Sequence, residues 1–286
     1  MSETFQRVAI VGVGLLGASL GLALKARGLV KTVAGAGRRR ETLEKALALG
    51  AIDLVADSPE EAADGADLAV IATPAAAVLS AMDALRGLAE SGSLVVTDVA
   101  STKAVICAHA VRTWKAPRQF VGSHPMAGSE KSGPEYGTAD LYEGAVCLIE
   151  DSPGTDPEAV QLVRRLWGSV GARLVALDPE SHDRMLARTS HLPHVAAAAL
   201  AALAAEVGAR REVIGRGFLD STRIADGPPE VWRDICLTNR EAVLESVAGL
   251  KGRLERFEAL LRAGDGHGLE MYFEEGRRGR RGTAGK

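Results

Sequence analysis

Three glycines constrain this chain more than any other feature of it. Gly12-Val13-Gly14-Leu15-Leu16-Gly17 follows the β-branched run Val8–Val11 directly and opens an Ala/Leu-rich stretch, Ala18–Arg27. A strand that turns into a helix within so few residues needs Gly12 for the tight turn. Gly14 lets the backbone approach a bound pyrophosphate, and Gly17 lets helix and strand pack closely. The first-turn N–H groups, including those of Leu15 and Leu16, lack partners within the helix, and the helix dipole adds positive potential there. The spacing predicts a dinucleotide-binding turn.

The next segments agree with that turn. Short apolar or β-branched runs at Thr32–Ala36, Leu68–Thr73, Leu94–Asp98, Gln119–Ser123, Ala145–Glu150 and Arg173–Leu177 alternate with helical stretches. Continuous runs such as LAVIA and LVV suit strands covered on both faces, as in a parallel α/β sheet. At Asp178-Pro179 the pattern changes: an N-cap is followed by proline at the first helical position, and no strand is expected beyond it. The predicted fold is α/β, with an N-terminal Rossmann-type dinucleotide-binding domain at 1–177 and a C-terminal all-helical domain at 178–286.

Composition excludes several alternatives. With 47% apolar and 25% charged residues in 286, the chain is neither disordered nor fibrous. A net charge of −3 gives no pull toward nucleic acid or an anionic membrane, so a small molecule is the expected partner. The longest apolar run, Val195–Ala205, is too short to span a bilayer, and the N-terminus shows no secretion signal, so a cytoplasmic protein is expected. Cys107, Cys147 and Cys236 are too scattered for a metal or redox motif and read as free thiols. In the helical part, Leu244, Val247, Leu250, Leu254, Phe257 and Leu261 form one apolar stripe, and a homodimer through this domain is expected. The final Gly/Arg-rich segment reads as a frayed tail.

The cofactor choice turns on the end of the second strand. An acidic residue there would hold an NAD ribose, but the position is Gly37, followed by Arg38, Arg39 and Arg40. Guanidinium groups without a carboxylate favour the 2′-phosphate of NADP over NAD, unless the arginines merely begin the next helix. Ligands in such sheets bind beyond the carboxyl ends of strands. The turn at Thr73-Pro74 passes near the nicotinamide position, and Ser101 and Lys103 follow Asp98. His124 precedes Pro125, which forces it into extended geometry, and Ser129 and Glu130 follow on a glycine-flanked loop. Further on, His191 and His194 lie three apart, without the carboxylates a metal site would need. Arg223, close to Asp220, is either a bidentate carboxylate anchor or part of a surface ion pair.

With these residues in view, the chain resembles the prephenate/arogenate (cyclohexadienyl) dehydrogenase family of tyrosine biosynthesis. The resemblance rests on GVGLLG, TDVASTK, GSHPMAGSEKSG, LYEG, SHLPH, GFLDSTRIA and EVWRDI, in the family's order over nearly the whole chain. It implies oxidative decarboxylation of prephenate to 4-hydroxyphenylpyruvate with hydride transfer to NAD(P)+, or the corresponding oxidation of arogenate to tyrosine. It also implies that His124 takes the ring hydroxyl proton, that Ser101 assists, and that Arg223 holds a substrate carboxylate. His191, His194, Asp220 and Trp232 would line or support the pocket, with Glu130 at its mouth. A positive His194 would favour the keto acid over the amino acid. The rival from another class is a non-catalytic nucleotide-sensing module, in which His124 would be dispensable.

Overall fold

The computed structural model describes residues 4–128, 131–150, 152–208 and 210–283. Two compact units are present, 1–239 and 240–286.

The first unit opens with β1 (Phe5–Val11), α1 (Leu15–Ala26), β2 (Val30–Ala36), α2 (Arg40–Ala48), β3 (Leu54–Val55) and α3 (Pro59–Ala63). It continues through β4 (Leu68–Ile71), α4 (Ala75–Ser91), β5 (Val95–Asp98), α5 (Ala104–Thr113) and β6 (Phe120–Val121). These strands form one parallel sheet in the order β3-β2-β1-β4-β5-β6, the Rossmann arrangement. Side chains alternate across it: Val8, Ile10 and Val70 enter one apolar core, while Ala9, Val11, Ala69 and Ile71 enter another. Both faces are covered, which is why the strands read as unbroken apolar runs.

The chain then changes sheets. One strand is expected over 119–123, but β6 ends at Val121 and β7 (Ser123–Pro125) joins β8 (Val146–Glu150) and β9 (Arg173–Leu177) in a second sheet. β7 runs antiparallel to β8, with His124 opposite Leu148. Gly122 makes the switch. A Cβ there would lie 2.8 Å from Cys107 Sγ, so the backbone passes where no other side chain fits. The two-residue β3 has no counterpart among the expected strands, being too short to carry a periodicity.

α6 (Pro157–Ser169), between β8 and β9, buries Trp167, whose Nε1–H donates to Ser123 Oγ at 2.9 Å. Beyond β9 only helices follow among the described residues, in agreement with the sequence. α7 (Pro179–Leu186) is capped as expected, Asp178 accepting the Ser181 N–H at 2.9 Å. A π turn at Ala187–His191 leads into α8 (Leu192–Glu206). α9 (Arg216–Thr222), a 3₁₀ turn at Arg223–Asp226 and α10 (Pro229–Thr238) complete the unit.

The second unit is a helical hairpin, α11 (Arg240–Arg262) and α12 (Gly266–Thr283), closed by a turn in which Gly264 has φ +65°. Phe257 packs edge-on to Phe273, and Arg253 and Arg256 both pair with Glu275. The segment expected to fray is helical to Thr283. Glu274 pairs with Arg277 and Arg278 three and four residues on, on the neighbouring turn. Among the described residues no helix is long and apolar enough to cross a membrane.

Candidate active site

The glycine turn fits a dinucleotide. Gly12 has φ +97°, and a Cβ there would lie 2.6 Å from the Ala72 carbonyl oxygen. On Gly17 it would lie 2.3 Å from the Gly12 carbonyl oxygen, so both positions are closed by the chain itself. Gly14 differs: nothing lies within 4 Å of its Cβ position, which leaves open space beside the first turn of α1. That turn has no side-chain cap, so the N–H groups of Leu15 and Leu16 are available to phosphate oxygens. Across the turn, Thr73 Oγ1 is buried without a partner among the described residues, beside an exposed Pro74.

At the end of β2, Gly37, Arg38 and Arg39 are exposed. Arg40 begins α2 and pairs with Glu44 and Asp57, as the helix-start alternative supposed. Neither Arg38 nor Arg39 makes an ion pair within 4 Å among the described residues, although the Arg39 charge is felt by Glu41.

The β5–α5 turn is fastened from below. Asp98 is fully buried, pairs with Lys103 Nζ, and accepts the N–H groups of Ala100 at 3.0 Å and Ser123 at 3.2 Å. Burial raises its pKa and the Lys103 charge opposes the rise. Ser101 is half-buried on this turn, above the pair. Lys103 is thereby committed to Asp98 and lies below the turn surface.

His124 is buried in β7, and its Nδ1 lies 2.9 Å from Nε2 of His182. His182 Nδ1 lies 2.7 Å from Asp183 Oδ1. Burial holds the His124 pKa well below the usual histidine value, with His182, Lys103 and His191 adding to the effect. At neutral pH its ring is an uncharged base.

Next to it, His191 is 1% exposed and meets Asn239 Nδ2 at 3.1 Å through its Nδ1. Asn239 also donates to the Asp183 carbonyl at 2.8 Å, tying the two histidine segments together. Burial lowers the His191 pKa to about 4. His191 Nε2 is buried without a hydrogen-bond partner among the described residues. Trp232 stands between the SHLPH histidines, with His194 stacked on it at 3.4 Å and His191 edge-on at 6.4 Å. His194 Nδ1–H donates to the Ser190 carbonyl at 2.9 Å, which leaves a lone pair on Nε2.

Burial first, and then the Arg223 charge, lower the His194 pKa. A positive His194 is therefore not what this site offers; Arg223 is its cation. Arg223 is exposed and has no carboxylate partner among the described residues, which answers the ion-pair alternative. Asp220 is exposed on α9 with no partner among the described residues, and Ser129 and Glu130 lie outside those residues.

A family model described as the prephenate dehydrogenase nucleotide-binding domain matches residues 20–176, and one described as the prephenate dehydrogenase dimerization domain matches 178–275. The chain belongs to the prephenate dehydrogenase family. It is 32% identical to a Bacillus subtilis prephenate dehydrogenase over 96% of this chain and 75% of that one. It is 30% identical to a Zymomonas mobilis cyclohexadienyl dehydrogenase, covering 96% and 95%. A crystal structure of A. aeolicus prephenate dehydrogenase in complex with hydroxyphenyl propionate and NAD+ superposes with a TM-score of 0.89 at 32% identity, covering 98% and 99%. The sequence singles out His124, His191, His194, Trp232 and Arg223 as candidates, and the structure joins His182, Asp183 and Asn239 to the buried histidines among them. The one signal for His182 and Asp183 was their adjacency just after the capped start of α7, and Asn239 had none.

Proposed function

We propose that this chain oxidises prephenate to 4-hydroxyphenylpyruvate with loss of CO2, passing a hydride to NAD(P)+. The observation that carries the reading is His124: a buried, uncharged imidazole in β7, anchored at Nδ1, close to the Ser101 turn and to the His191 segment. Prephenate has two carboxylates and a ring hydroxyl. Arg223 supplies an exposed guanidinium for a carboxylate, His124 a base for the hydroxyl proton, and Ser101 a hydroxyl for orientation. Trp232, with its two histidines, offers a flat wall for the ring, and the His191 nitrogen without a partner adds a polar contact. Glu130, Ser129 and Asp220 complete the proposed substrate set. A bound nicotinamide supplies the hydride acceptor. Gly12, Gly14, Leu15, Leu16, Gly17, Thr73, Pro74 and Ser101 would hold the dinucleotide, with Arg38 and Arg39 favouring NADP.

We assign cofactor binding to 1–177 and substrate binding to 178–286. A homodimer through the helical region is part of the same reading. α8 is apolar on every face, yet Ala197 is its one buried residue, and a helix of that kind needs cover. Arogenate is the second reading, favoured by the lone pair on His194 Nε2, which can accept from an ammonium. Steady-state kinetics with prephenate or arogenate and NAD+ or NADP+, followed by absorbance of the reduced nicotinamide, tests all of this. Turnover with prephenate is expected, lowered roughly 10²- to 10⁴-fold in His124→Asn with cofactor affinity retained. Full activity of that variant would remove the base assignment.

A further inference from the structure

We propose that His182 and Asp183 are positioning residues that fix which nitrogen of His124 carries its proton. The proposal rests on His124 being the base. Asp183 Oδ1 receives the Lys103 N–H at 2.8 Å and His182 Nδ1 at 2.7 Å, and its Oδ2 receives the Ala104 N–H at 2.9 Å. The backbone donors belong to the first turn of α5, so the carboxylate sits where a helix dipole favours an anion. A carboxylate in that position only accepts. His182 must therefore donate from Nδ1, and with one proton on its ring its Nε2 holds the lone pair. That lone pair faces His124 Nδ1 at 2.9 Å, so His124 carries its proton on Nδ1. The lone pair of His124 is left on Nε2, which no hydrogen bond engages among the described residues, ready to accept the substrate hydroxyl proton. In the opposite tautomer of His124 two lone pairs would meet across the 2.9 Å contact.

The same chain serves the protonated state. When a proton passes from the substrate hydroxyl to His124 Nε2, the ring becomes an imidazolium in the protein interior. Lys103, from the turn after β5, and His191, from the π turn, oppose that charge, as does any positive charge on His182 itself. Only as an uncharged acceptor does His182 favour it, through the Nδ1–H of His124 donating to His182 Nε2 while His182 Nδ1–H donates to the Asp183 carboxylate. Asp183 and His182 come from α7, Lys103 and Ala104 from the start of α5, and His124 from β7. The arrangement forms only where these three elements meet.

The tautomer is read directly on the intact protein. Long-range ¹H–¹⁵N correlation on histidine-labelled protein is expected to show His124 protonated at Nδ1 and bare at Nε2. The reverse pattern, which a second proton on His182 would produce, overturns the proposal. In kinetics, His182→Leu removes the acceptor while keeping apolar bulk. We expect kcat to fall about 10²-fold with NADPH affinity within about twofold, and the acid limb of kcat/KM to move to lower pH. His182→Gln keeps an acceptor near the Nε2 position and should recover most of the loss. Unchanged kcat and pH profile in His182→Leu overturn the relay. If His124→Asn is inactive at the same time, the base assignment stands and the relay alone fails.

Discussion

Acid should unfold this protein partly through one histidine. His191 is 1% exposed, and burial lowers its pKa from 6.5 to about 4. The unfolded chain binds a proton on this ring as pH falls below about 6.5, whereas the folded protein resists until about 4. Over that window the unfolded state holds more protons, so stability rises with pH. The contribution is therefore complete above about pH 6.5 and eroded as pH falls toward 4. The gap of 2.5 units (6.5 − 4) corresponds to about 3 kcal/mol in full, of which about 2 kcal/mol is lost between about pH 7.5 and about pH 5. His191→Asn keeps an acceptor for Asn239 Nδ2 but cannot titrate. Urea unfolding of parent and variant at both pH values compares them with His194 common to both, and with His124 differing only by the loss of His191, the smallest of the influences on its pKa. The variant should lose about 2 kcal/mol less stability on acidification than the parent. Equal losses would refute the burial argument for this ring.

Other perturbations separate backbone from ligand roles. Gly14→Ala meets nothing within 4 Å and should keep its Tm while weakening dinucleotide binding about tenfold, as titrated by nicotinamide fluorescence; Gly17→Ala meets the Gly12 carbonyl at 2.3 Å and should lower Tm by several degrees. Arg223→Leu removes a charge-assisted contact worth about 1.5–3 kcal/mol, so KM for the dicarboxylate should rise roughly 10- to 100-fold at unchanged cofactor affinity. Replacing Arg38 and Arg39 together by serine should lower kcat/KM for NADP+ about tenfold or more and leave NAD+ nearly unaffected, and equal losses with both cofactors would remove the 2′-phosphate assignment.

The pattern of what was legible follows from the range of the interactions involved. The glycine turn, the Asp178 cap and the apolar strands other than the one expected over 119–123 are set by neighbours in the chain, and the structure has them at the segments the sequence marks. His124 was visible for the same reason, because Pro125 fixes its backbone locally. The strand break at Gly122 had a local sign as well, an isolated glycine inside a strand pattern, yet the apolar residues before it concealed the change of sheet. His182 and Asp183 had only their adjacency in the chain, and Asn239 had no local sign. Their hydrogen bonds join residues 58, 80 and 48 apart, and each exists only once α7 and α10 have docked. Four of the six histidines, His124, His182, His191 and His194, gather at this meeting of elements, and each is brought there by a backbone whose local sequence says only strand or helix. The base itself can be found from one segment, but the groups that set its proton come from others, so the chemistry of His124 belongs to the tertiary fold.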